Sequence, residues 1–138
     1  MISNTMVASI FWGFYESAEI RLIEKYFPGK TDVIELGGSM GIVTSHIARK
    51  LKPGHNLISI EGNPFLISTI DRNANHHLAA GTSVSVLNYA IASGATRVIF
   101  NISDDNTTSG VNHSAQGKRL EVPAMSLSRT VSAHSLKR

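Results

Sequence analysis

Thr31-Asp32-Val33-Ile34-Glu35-Leu36-Gly37-Gly38-Ser39-Met40-Gly41 is a short run that breaks at once into glycines, and its reading decides the fold. The run through Leu36 suits a buried strand. Beyond the glycines, Ile42, Val43, Ile47 and Leu51 outline one face of a helix that Pro53-Gly54 ends. A strand, a glycine turn and a helix in that order set a positive helix end at the carboxyl edge of a sheet. Open α/β sheets bind nucleotide ligands there.

Outward from this loop the pattern repeats. Leu57 to Ile60 reads as the next strand, followed by Glu61-Gly62-Asn63. Asn63-Pro64 opens a helix on paper, with Asn as N-cap and Pro at the first helical position. Leu66, Ile67, Ile70 and Ala74 give that helix a buried face, and it is expected to end near Gly81. Val84 to Tyr89 is a third strand. Upstream, Ala18, Leu22, Ile23 and Tyr26 mark a helix over 17–27 that Pro28-Gly29 stops. The order helix, then β-α-β-α-β, predicts a parallel sheet of Rossmann-like α/β type. Arg97 to Ile102 and Arg119 to Pro123 read as a hairpin joined by a long polar loop. The chain is therefore read as one domain: a helical segment over 1–30, the core over 31–94, the hairpin over 95–125 and a basic tail over 126–138.

The residue types in the loop choose among ligands. Its glycines are 37, 38 and 41, so placing Gly38 and Gly41 in a G-x-G-x-x-G frame puts Leu36 where the first glycine belongs. No Gly-Lys-Ser/Thr follows, which excludes a Walker A loop. Glu35, two residues before Gly37, would repel a pyrophosphate and attract the ammonium of a methionine moiety. Glu61, at the end of the next strand, can accept hydrogen bonds from both hydroxyls of a ribose. Both cofactor classes use a carboxylate at that place, so it is Glu35 and the failed glycine frame that favour S-adenosylmethionine over a dinucleotide.

Composition agrees with a folded globular domain. The 138 residues are 42% hydrophobic and 17% charged, with a formal charge of +3 and no cysteine. That removes disulfides, thiolate metal sites and cysteine nucleophiles. Basic clusters with interleaved aromatics are missing, so no nucleic-acid partner is expected. No apolar run reaches the roughly 20 residues that span a bilayer, and the start lacks a charged leader, so a soluble cytoplasmic protein without a membrane partner is expected. Adjacent His76-His77 cannot share one helix face, His46 reads as structural, and Asp104-Asp105 has no histidine beside it, so no metal site is expected. His113 and Ser114 have no acid at a recognisable spacing to form a triad.

Read together, Tyr15-Glu16, the 32–41 stretch, Ile58-Ser-Ile-Glu-Gly-Asn-Pro64 and Val86-Leu-Asn-Tyr-Ala-Ile-Ala-Ser93 resemble the FkbM-type S-adenosylmethionine-dependent methyltransferases. Asp105-Asn-Thr-Thr-Ser-Gly110 and Val122-Pro-Ala-Met-Ser-Leu127 continue the resemblance over nearly the whole chain. It implies an O-methyltransferase acting on a hydroxyl of a saccharide or related metabolite. Glu35, Gly37, Gly38, Ser39 and Gly41 would frame the methionine end, and Glu61 with Gly62 the ribose. Asn63 and Asn88 would lie toward adenine, and Tyr15-Glu16 would close over the cofactor. No residue is identified as the base that takes the acceptor's proton. In the family a strand of Ile-Asp-x-Glu-Gly type follows, so the resemblance implies a truncated cofactor-binding portion with an exposed sheet edge open to self-association. A non-catalytic adenosine-binding remnant is the alternative from another class, with a nicotinamide oxidoreductase half-domain behind it.

Overall fold

The computed structural model describes residues 4–76, 78–103, 110–111 and 117–134. Helix α1 (Asn4–Phe11) and α2 (Ser17–Tyr26) precede β1 (Val33–Leu36), α3 (Ile42–Lys50), β2 (Asn56–Glu61), α4 (Ile67–Asn75) and β3 (Ser83–Asn88). A two-residue β4 (Ala90–Ile91), β5 (Arg97–Ser103), β6 (Gly117–Met125) and α5 (Leu127–Ala133) follow. The fold is mixed α/β: β1, β2 and β3 form a parallel sheet in chain order, and a second small sheet has the order β4-β6-β5. This arrangement is compatible with a Rossmann-like fold.

The central strand is buried along both faces from Leu57 to Glu61; Leu57, Ile58 and Ile60 are its apolar residues, and Ser59 and Glu61 are buried polar ones. Alternation sends Leu57 toward the helices, where it packs with Ile47 and Ala48 of α3, Leu51 just after it, Ile23 of α2 and Phe27 at that helix's end. Ile58 and Ile60 point the other way and meet Tyr89, Ile91 and Met125. The small sheet thus closes the face that the helices leave open. Its own core is Ala90, Phe100, Ile102 and Val122.

Two local differences from the sequence reading have physical causes. The helix after β2 begins at Ile67 rather than Pro64, because the Asn63 carboxamide oxygen accepts the Phe65 N–H at 3.1 Å and holds 63–66 in a turn. It ends at Asn75, short of Gly81, and Ala79 then accepts the Thr82 N–H and hydroxyl. The hairpin of β5 and β6 is antiparallel, as its alternation implies, but β6 also pairs in parallel with Ala90–Ile91. The start of the basic tail is helical, with Ser126 Oγ capping α5 by accepting the Arg129 N–H. Among the described strands β1 pairs only with β2, so its outer edge is open, and Leu36 is 51% exposed.

Tyr89 ties the two halves together. Its phenol donates to Thr130 Oγ1 on α5 at 3.1 Å in the buried interior. Tyr89→Phe is expected to lower unfolding free energy by about 1 kcal/mol, the usual net value of one such bond, in urea titrations. An unchanged midpoint would show that this bond contributes nothing.

Candidate functional site

The loop after β1 is held by hydrogen bonds from its own backbone. Gly37 N–H and Gly38 N–H both donate to the Ile60 carbonyl, at 2.8 and 3.2 Å. Ser39 N–H donates to Glu61 Oε2 at 2.8 Å, and Gly41 N–H to the Gly38 carbonyl at 2.7 Å. These donors are therefore engaged with the end of β2 and with the loop itself, not turned outward as a phosphate cradle would require. Ser39 sits at φ 48°, an uncommon conformation for a side-chain-bearing residue, and its hydroxyl meets the Tyr15 phenol at 2.7 Å.

Gly41 shows why a glycine ends the loop. Its φ is +76°, and a Cβ there would lie 2.9 Å from Ile70 Cα, so α3 starts against the backbone of α4.

Glu61 is the centre of the arrangement. It is only 7% exposed, yet it lines a cavity of about 540 Å³ at the carboxyl ends of β1 and β2. Its second oxygen accepts the Asn63 N–H at 2.7 Å, so one carboxylate fixes the loop on one side and the turn on the other. Each oxygen keeps acceptor capacity for a ligand. Around it stand Tyr15, Glu16, Gly37, Ser39, Gly62 and Asn63, all expected from the sequence. The rest of the lining is apolar, made chiefly of Leu36, Tyr89, Ile91, Phe100 and Val111.

Four expected site residues lie elsewhere. Glu35 is beneath the loop and not on the cavity wall: its Oε2 accepts both the Thr44 and Ser59 hydroxyls at 2.6 Å. Burial pushes its carboxyl above the ordinary range, while these hydroxyls pull the other way. Gly38 packs over Ser59 and Ile70, and Gly41 over α4, so both shape the loop without facing the cavity. Asn88, expected toward adenine, instead donates its side-chain amide to the Glu61 and Gly62 carbonyls at 2.9 and 3.3 Å. It braces the β2–β3 edge.

The apolar wall was the part missed by sequence reading. Tyr89 and Ile91 belong to the quoted Val86–Ser93 segment, and their position directly after a sheet strand was the available signal. Phe100 and Val111 carried none, since only the folding back of the second sheet brings them to the cavity. His46 is structural: its Nδ1 lies 2.9 Å from Glu24 Oε1 on α2. No group of metal-ligating side chains occurs among the described residues, and no helix among them is long and apolar enough to cross a membrane. His77, Asp104-Asp105, most of the 105–110 segment, and His113-Ser114 lie outside the described residues.

Searches against known protein families, curated proteins and solved structures return no match to this chain.

Proposed function

We propose that the chain is an S-adenosylmethionine-dependent O-methyltransferase of FkbM type, acting on a hydroxyl of a saccharide or related metabolite. One observation carries the cofactor reading: the cavity at the sheet's carboxyl edge is lined by carboxylates, Glu16 and Glu61, and by no lysine or arginine among the described residues. A dinucleotide brings two phosphate charges to such a site and would meet repulsion there. The engaged N–H groups of Gly37, Gly38 and Ser39 add to the argument, because they leave a pyrophosphate few donors. A ligand that is cationic at one end and carries a ribose suits these residues.

In this reading Glu61 receives the ribose hydroxyls with the acceptor capacity that Ser39 and Asn63 leave free. The apolar wall around Tyr89, Ile91 and Phe100 takes the base and keeps water from the reacting end. The bound cofactor supplies a methyl group on a sulfonium centre, already electrophilic. The chain's residues need only bind and align it. The hydroxyl acceptor is proposed from the sequence resemblance.

Calorimetric titration with S-adenosylmethionine, S-adenosylhomocysteine and NAD tests the reading. Binding of the first two and not of NAD is expected. Binding of NAD alone would overturn it, and binding without methyl transfer to any hydroxyl would favour a non-catalytic adenosine-binding module.

A further inference from the structure

Helix α1 ends in a hydrogen-bonded turn that holds aromatic side chains outward. The Phe14 N–H donates to the Ser9 carbonyl at 2.8 Å and the Gly13 N–H to the Ile10 carbonyl at 3.1 Å, with Gly13 at φ 70°. This paired closure is a Schellman motif, which fixes the direction of the chain after a helix. The Trp12 and Tyr15 N–H groups donate to the Ala8 and Ser9 carbonyls, so four consecutive donors are paired within the turn. On either side of it, Ile10 and Tyr15 pack on the cluster of Met40, Leu66 and Ile70, and the Tyr15 phenol meets Ser39. The turn is clamped to the fold at both ends.

What the clamp presents to solvent is apolar. Phe11, Trp12 and Phe14 are 79%, 69% and 74% exposed, and exposed Val7 lies one helical turn back from Phe11. The Phe11 and Trp12 rings meet edge to face, 5.4 Å between centres. No side chain from Met1 to Tyr15 carries a charge. Contiguous large aromatics are unfavourable in water, and such patches mark surfaces that something else covers.

Size and charge choose what covers this one. Full burial of an aromatic side chain removes about 150–250 Å² from water, so three at these exposures offer about 350–550 Å². A stable dimer needs about 800 Å² from each copy, more than the knob supplies. The interface of a bilayer accepts a few Trp and Phe side chains and needs no matching surface. The paired N–H groups let the turn enter without stranding donors, and no charged side chain has to be desolvated with it. The formal charge of +3 on the chain favours an anionic leaflet. A bilayer-spanning run, whose absence leads to the expectation of no membrane partner, is not needed for docking on a surface.

We infer that Phe11, Trp12 and Phe14 form a membrane-docking knob that inserts into the interface of a bilayer with anionic headgroups. Phe14 is followed directly by Tyr15 of the cavity lining, so a docked chain holds one edge of the cavity near the lipid surface. The knob does not depend on which cofactor the cavity takes.

Trp12 is the single tryptophan of the chain, so its fluorescence reports the knob alone. When vesicles of phosphatidylcholine and phosphatidylserine are added to the full chain, its emission is expected to move to shorter wavelength. Lipids with brominated acyl chains should quench it. The double variant Phe11→Ser with Phe14→Ser should bind these vesicles about tenfold more weakly or worse in flotation assays. Its unfolding midpoint should be unchanged, because neither ring is buried in the fold. Emission indifferent to vesicles, or equal flotation of the variant and the unmodified chain, would overturn the knob. So would a shift that grows with protein concentration in the absence of lipid, which would make a second copy the occupant. Should the variant fail to fold, quenching of Trp12 by brominated lipid in the unmodified chain decides alone.

Discussion

Gly41→Ala is expected to destabilise the chain by about 2–4 kcal/mol, combining a strained left-handed residue with forced separation of two helices. The new methyl group would lie 2.9 Å from Ile70 Cα and 3.3 Å from the Ile70 carbonyl oxygen, and neither backbone atom can rotate away. Relief would require α3 to lift from α4, disturbing the cluster of Met40, Leu66 and Ile70. Denaturant titration of the two proteins gives the difference directly. The contrasting substitution is Gly37→Ala, where φ is also positive but nothing lies within 4 Å of the added carbon. It should cost only the strain, about 1 kcal/mol. Equal losses at both positions would show that the close approach of the helices is not what Gly41 secures.

Glu61→Ala should carry a double effect. An adenosine ligand is expected to bind more weakly by about 1.5–3 kcal/mol, the range for hydrogen bonds to a charged partner. The fold should also lose about 2–3 kcal/mol, because the Ser39 and Asn63 N–H groups are left without their acceptor. Measuring affinity and unfolding on the same protein separates the two. Loss of stability with full affinity would reduce Glu61 to a loop brace. Asn88→Ala supplies a control, since it loosens the same strand ends from behind without removing a cavity residue.

The β-α-β-α-β core was legible because each element carries local periodicity and a Gly or Pro stop. The second sheet was less so. Arg97–Ser103 and Gly117–Met125 alternate well enough to be read as a hairpin, but the parallel contact of β6 with Ala90–Ile91 is nonlocal and two residues long. Helix α4 was misjudged at its start because an Asn side chain can cap a helix or close a turn, and here it does the second. The site was legible in kind more than in placement. Glu61, Tyr15 and Glu16 lie on the cavity as expected. Glu35 faces the inside of the sheet because Thr44 and Ser59 offer it hydroxyls there, and no spacing rule joins those residues in advance.

The tie between the loop and the second strand bears on motion as well as on charge. With Gly37, Gly38 and Ser39 all fastened to Ile60 and Glu61, the segment has little conformational freedom to lose when a guest arrives. Recognition at this edge is thus of a preset shape, and the ordering entropy that flexible glycine loops surrender on binding has been met by folding. Amide hydrogens at these three positions should exchange slowly even without ligand, like those of a strand.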